Sequence, residues 1–153
     1  MSYKSVETAL LTVIAALGNY TSTGQRRNIS QGDYRILAKG VNRAVVLQPG
    51  SIASRGVAVS TRRMRTLWEV YIELYIPFRT EMNTIATALR DDRQEIIDQV
   101  DKYPTLNASG DGIVMAMITR GLEPDIWQGE GRSWWRQVLI CQVEERATIT
   151  IAE

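Results

Sequence analysis

Histidine is absent from the 153 residues, and cysteine occurs once, at Cys141. The commonest general base is therefore missing, and so are the usual zinc, haem and iron–sulfur ligand sets. A single thiol makes no internal disulfide, which suits a reducing compartment. Long apolar runs are missing as well. The stretch Ala9 to Leu17 is too short to cross a bilayer and lacks the basic flank and cleavage site of a signal peptide, so no membrane association is expected. No internal repeat or low-complexity tract occurs. What remains is ordinary for a folding chain: 44% hydrophobic and 23% charged residues in a length that fits one domain over residues 1–153.

Charge is unevenly placed. Residues 1–66 carry ten basic side chains against two acidic ones, whereas residues 67–153 carry eight basic against fifteen acidic. Such asymmetry points to a polyanionic partner or to self-association between unlike surfaces, unless folding interleaves the two halves.

Periodicity sets the elements. Val6, Leu10, Val13, Ile14 and Leu17 follow helical spacing, with Ser5 placed to cap the start and Gly18 to end it. Asn19 to Gly32 reads as a mobile loop, Asp33 to Leu37 as a helical turn or two stopped by Gly40, and Ala44 to Leu47 as a short buried strand ending at Pro49-Gly50. Ile52 to Ser60 alternates weakly, Thr61 to Arg65 is polar and basic, and Leu67 to Ile76 is the clearest strand. Trp68, Val70, Ile72, Leu74 and Ile76 fall on its core side. Glu69, Tyr71, Glu73 and Tyr75 fall on the other, either as a solvated face or as a protein contact surface.

An amphipathic helix is predicted from about Thr80 to Asp101, acidic on its outer face and ended by Pro104. A loop over Asn107 to Gly112, a strand over Ile113 to Arg120, a loop over Gly121 to Gly131 and a last strand over Trp134 to Val143, extending as far as Ile151, complete the chain. The expected class is α+β: an antiparallel sheet of about four to five strands with two helices packed on one face. The other sheet face is then wet or covered by a neighbouring chain.

Few residues offer chemistry. Asp91-Asp92 and Glu144-Glu145 are paired carboxylates, but neighbours on a helix or strand diverge, so both pairs are read as solvated charge. Cys141 alternates with Leu139 and Val143 and reads as packing. Gly110-Asp111-Gly112 and Gly129-Glu130-Gly131 carry an acid and no lysine, unlike a phosphate loop, and read as turns. No catalytic, cofactor or metal site is expected, and no enzyme activity.

Interaction residues are better represented. Arg55, Arg62, Arg63 and Arg65 form a compact basic segment that can meet nucleic-acid phosphates, although no aromatic residue is interleaved for base stacking. Trp134 and Trp135 are adjacent in a strand, so one points away from the core face, and Trp127 sits in a polar loop. Trp127 and Trp134 are candidate interface anchors unless a helix or loop covers them.

Several segments in order carry a family likeness: Gly32-Asp33-Tyr34-Arg35-Ile36-Leu37, then Ala44-Val45-Val46-Leu47-Gln48-Pro49-Gly50, the strand Trp68 to Pro77, and the helix running into Lys102-Tyr103-Pro104-Thr105-Leu106. Gly112 to Arg120 and Gln137-Val138-Leu139-Ile140-Cys141-Gln142-Val143-Glu144-Glu145 follow. In order and spacing, over most of the chain from Gly32 onward, these resemble the tail terminator and tail-completion proteins of long-tailed bacteriophages. Head-closure and other neck proteins are the neighbouring possibility. The resemblance implies a non-enzymatic virion protein, present in the host cytoplasm during assembly, that forms a homohexameric ring. Such a ring caps the tail tube, stops its growth and joins the head connector or neck proteins, with DNA passing through the lumen without sequence-specific binding. A ring needs two unlike surfaces per subunit. The basic residues Arg55, Arg62, Arg63 and Arg65 facing Glu69, Glu73 or the long helix of a neighbour would provide them. A small nucleic-acid-binding module using the Arg55 to Arg65 region is the reading from a different class.

Overall fold

The computed structural model describes residues 3–17, 22–25, 44–77, 82–129 and 132–149. Within these, helix α1 (Tyr3–Ala15) is followed by β1 (Ser22–Gln25), β2 (Ala44–Ala58), β3 (Arg63–Pro77), helix α2 (Met82–Lys102), β4 (Ile113–Gly121), β5 (Asp125–Gly129) and β6 (Arg132–Thr148). A short 3-10 turn, Ser109–Asp111, links α2 to β4.

β3 is the spine of the sheet. Its β-branched and aromatic content suits a pleated, half-buried surface, and every residue from Arg63 to Pro77 is in register with β6. The sheet order is β1-β2-β3-β6-β4, with β5 also lying beside β6. All pairings are antiparallel except β1 with β2.

The helical periodicity of α1 and α2 puts their apolar stripes against one sheet face. Val6, Leu10, Val13 and Ile14 from α1 and Ile96 and Val100 from α2 join Val45, Leu47, Val70, Ile72, Leu74, Leu139, Cys141 and Val143 in one buried cluster. The α+β class with two helices on one face is therefore as expected, and Cys141 is part of the packing.

Six strands replace the expected four to five. The additions fall where turn-forming residues obscured them: β1 lies inside the segment read as the loop Asn19 to Gly32, and β5 lies inside the loop read over Gly121 to Gly131. Four- and five-residue strands hold too few alternations to show a period. The rest of the first loop, the Asp33 to Leu37 turn with its Gly40 stop, the helix start near Thr80 and the end near Ile151 lie outside the described residues.

Pro49-Gly50 does not end a strand. β2 continues to Ala58 through register shifts between Pro49 and Ser54, which absorb the missing proline N–H at a bulge. At Gly50 a Cβ would overlap the Glu69 carbonyl group, so the close approach of the two backbones there needs glycine.

Candidate functional site

The β2–β3 hairpin, turning at Val59–Arg62, extends past the helical layer. Every residue from Ile52 to Arg63 is exposed. β6 continues alongside, pairing Glu144–Thr148 with Arg63–Leu67, and β4 borders it as far as Glu144 and Glu145, so the tip of the sheet, from Arg65 and Arg146 outward, is a three-stranded arm. It bears exposed aliphatic side chains, Ile52, Val57 and Val59, the last 68% accessible. Arg62 takes φ 53° in the turn, and its carbonyl accepts a 2.7 Å hydrogen bond from the Ile149 N–H, which ties the turn to the end of β6.

All four arginines singled out from the sequence are exposed on this arm. Arg55 donates to Met64 Sδ at 2.9 Å. Arg65 pairs with Glu144, and Arg146 reaches the same carboxylate at 3.2 Å. Arg65 and Arg146 stand directly opposite each other across β3 and β6, a like-charge arrangement that opposes pairing. One carboxylate thus serves two guanidinium groups, and among the described residues Arg62 and Arg63 have no ion pair. A trough of about 400 Å³ runs along the arm, lined by Gly56, Val57, Arg63, Met64, Arg65 and Arg146 among others. Arg146 was not among the residues selected from the sequence; only the cross-strand register brings it there.

The remaining candidates divide. Glu69 and Tyr71 are half-buried on the face away from the helices. Glu73 and Tyr75, on the same alternation, are 2% and 1% exposed, so neither belongs to a contact surface. Trp134 is likewise fully buried, and with Ala44, Val46 and Tyr75 forms a second cluster against which Trp127 packs. Trp127 meets Tyr75 edge to face, with ring centroids 5.7 Å apart. Cover comes from within the chain, and β5, which carries Trp127, supplies part of it.

A buried carboxylate needs compensation. Tyr75 Oη donates to Glu73 Oε2 at 2.5 Å, and Arg136 Nη1 lies 3.7 Å from the same oxygen. Asp125 of β5 grips that guanidinium through bonds of 3.0 and 2.5 Å. Those bonds hold Arg136 firmly protonated, while burial, reinforced by the Glu73 carboxylate, pushes the Tyr75 phenol up. The residues form a buried network in which one guanidinium lies between two carboxylates and the Tyr75 hydroxyl is bonded to one of them.

The paired carboxylates are separated as alternation requires, but they are not all solvated. Asp91 is exposed and Asp92 buried; Glu144 is half-buried among arginines, and Glu145 is buried and accepts the Trp68 Nε1 hydrogen bond at 3.2 Å. Burial also pushes the Cys141 thiol up to about 12, far from a reactive thiolate. A larger groove of about 550 Å³, lined in part by Thr8, Thr12, Gln99, Tyr103 and Asn107, separates α1 from the end of α2. Gln99 crosses it to the Val13 carbonyl at 2.9 Å.

Among the described residues no cluster of three or more acidic, cysteine or histidine ligands is placed to hold a metal ion. No described helix is long and apolar enough to cross a membrane. No protein-family model matches the chain, and no curated protein matches it either.

Proposed function

We propose that the protein is a structural assembly protein, a ring-forming tail terminator of a long-tailed bacteriophage. In this reading six copies close a ring that caps the tail tube, contacts the head connector or neck proteins and lets DNA through its lumen. The protein would act in the virion neck after assembling in the host cytoplasm.

The observation that carries the reading is the arm. A strand extension with exposed aliphatic side chains and concentrated positive charge presents a surface that a neighbouring molecule would bury. The arm and the helical layer are different surfaces, so a contact between them is heterologous and closes into a ring when the rotation permits. The order of segments described above supplies the particular choice of a tail terminator.

Absolute mass by light scattering across protein concentration and salt, followed by negative-stain imaging, tests this. A discrete six-subunit ring, in solution or on isolated tail tubes, is the expected result. A chain that stays monomeric in both settings overturns the reading. If that monomer binds duplex DNA with a steep salt dependence, the arm is a nucleic-acid contact instead.

A further inference from the structure

Two patches on this molecule carry charge that its own fold leaves poorly balanced, and they are of opposite sign. On the arm, Arg65 faces Arg146 across two strands with Glu144 between them, and Arg63 lies two residues further along β3. On α2, the exposed ridge presents Asp91, Asp98 and Asp101, spaced so that all three fall on one side of the helix. Asp98 and Asp101 run toward the helix C-terminus, where the backbone already contributes partial negative charge and an acid is unfavourable. Lys102 is the one basic residue in that last turn, and its Nζ sits 5.5 Å from the centre of the Tyr103 ring.

We infer that the arm of one chain lies across the C-terminal half of α2 in a second copy, setting Arg63, Arg65 and Arg146 against Asp98 and Asp101. This rests on the ring reading and names its contact. The dimensions agree: Arg63 and Arg65 are about 7 Å apart along a strand, and Asp98 and Asp101 about 4.5 Å apart along the helix axis, within the reach of long guanidinium side chains. The trough is open at Gly56, where a Cβ would meet nothing within 4 Å. A helix fits better than a nucleic acid because the trough includes Val57 and Met64, and residues 52–65 contain no aromatic side chain on which a base could stack. The contact relieves both imbalances at once and sets register more than affinity.

Charge exchange between subunits provides the test. One full-length variant carries Arg63→Glu and Arg65→Glu, the other Asp98→Lys and Asp101→Lys; all four positions are exposed, so circular dichroism should match that of the unmodified chain. Mass is measured under the conditions in which the unmodified chain forms its ring. Each variant alone should lose the ring, because like charges then meet at every contact. An equimolar mixture should restore it as an alternating ring, which closes only for an even number of subunits. If the α2 variant assembles normally while the arm variant does not, the arm meets another surface: this contact is overturned and the ring reading stands. Failure of the mixture to recover, or normal assembly of both variants, also overturns the contact. If the unmodified chain forms no ring, the ring reading falls first and the contact falls with it.

Discussion

Tyr75 and Arg65 lie on the same strand, ten residues and about 34 Å apart, yet they occupy opposite environments. Around Tyr75 both sheet faces are covered: the helices pack on one, and Trp127, Trp134 and the Glu73–Arg136–Asp125 network fill the other. Around Arg65 the exposed surface is aliphatic and cationic, with the Glu144 carboxylate shared between two guanidinium groups. One end of the sheet is covered within the chain, and the other leaves aliphatic and cationic side chains exposed, which on the proposed ring reading a partner would cover. Substitutions at the covered end should therefore act on folding, and substitutions on the arm should act on assembly.

The largest effect is expected from Ile72→Ala, which empties a fully buried position under both helices; chemical denaturation should show a loss of about 2–5 kcal/mol. Alkali attacks the same end. The folded state holds the Cys141 proton more tightly than the unfolded chain, whose thiol titrates near 9.0, so stability should be full below pH 9 and fall as pH rises toward 12. The raised Tyr75 phenol adds to the loss in the same direction above its ordinary 10.0. Denaturation midpoints rising with pH across that window would contradict both assignments. Tyr75→Phe removes the hydrogen bond to a buried carboxylate and should cost about 1–3 kcal/mol by the same assay.

Gly50→Ala tests the junction between the two ends. Its Cβ would displace the Glu69 carbonyl, with an expected cost of about 1–2 kcal/mol, read as a lower melting temperature. The smallest change in folding should come from Val57→Ser with Val59→Ser, within about 0.5 kcal/mol per site because both side chains are exposed. Light scattering on this double variant should nevertheless show loss of the proposed ring. A large folding defect there would mean that the arm is supported within the chain, and the contrast between the two ends would disappear.

Much of the covered end was legible beforehand. The spacing of Val6, Leu10, Val13 and Ile14 and the alternation from Trp68 to Ile76 reflect the periods of helix and strand, which residue order alone displays. The same alternation misassigned Glu73 and Tyr75, because a period reports which face a side chain takes and is silent on what covers that face. Their cover depends on Arg136 and on Asp125 and Trp127 of β5, a strand of five residues flanked by turn-formers. The arginine segment was visible as composition, whereas Arg146, 81 residues beyond Arg65, joins it only through the pairing of β3 with β6.

Residue order by itself thus determined the two helices, the spine strand, the unlike charge of the two halves and the lack of histidine and of more than one cysteine. Each of these is a local or summed property of side chains. Tertiary structure decided that β2 passes through Pro49-Gly50 instead of turning there, that part of the outer sheet face is closed from within, and that Arg65 and Arg146 stand opposed and exposed. Those outcomes depend on strand register and on where the helices stop, and both are fixed by packing between segments distant in sequence.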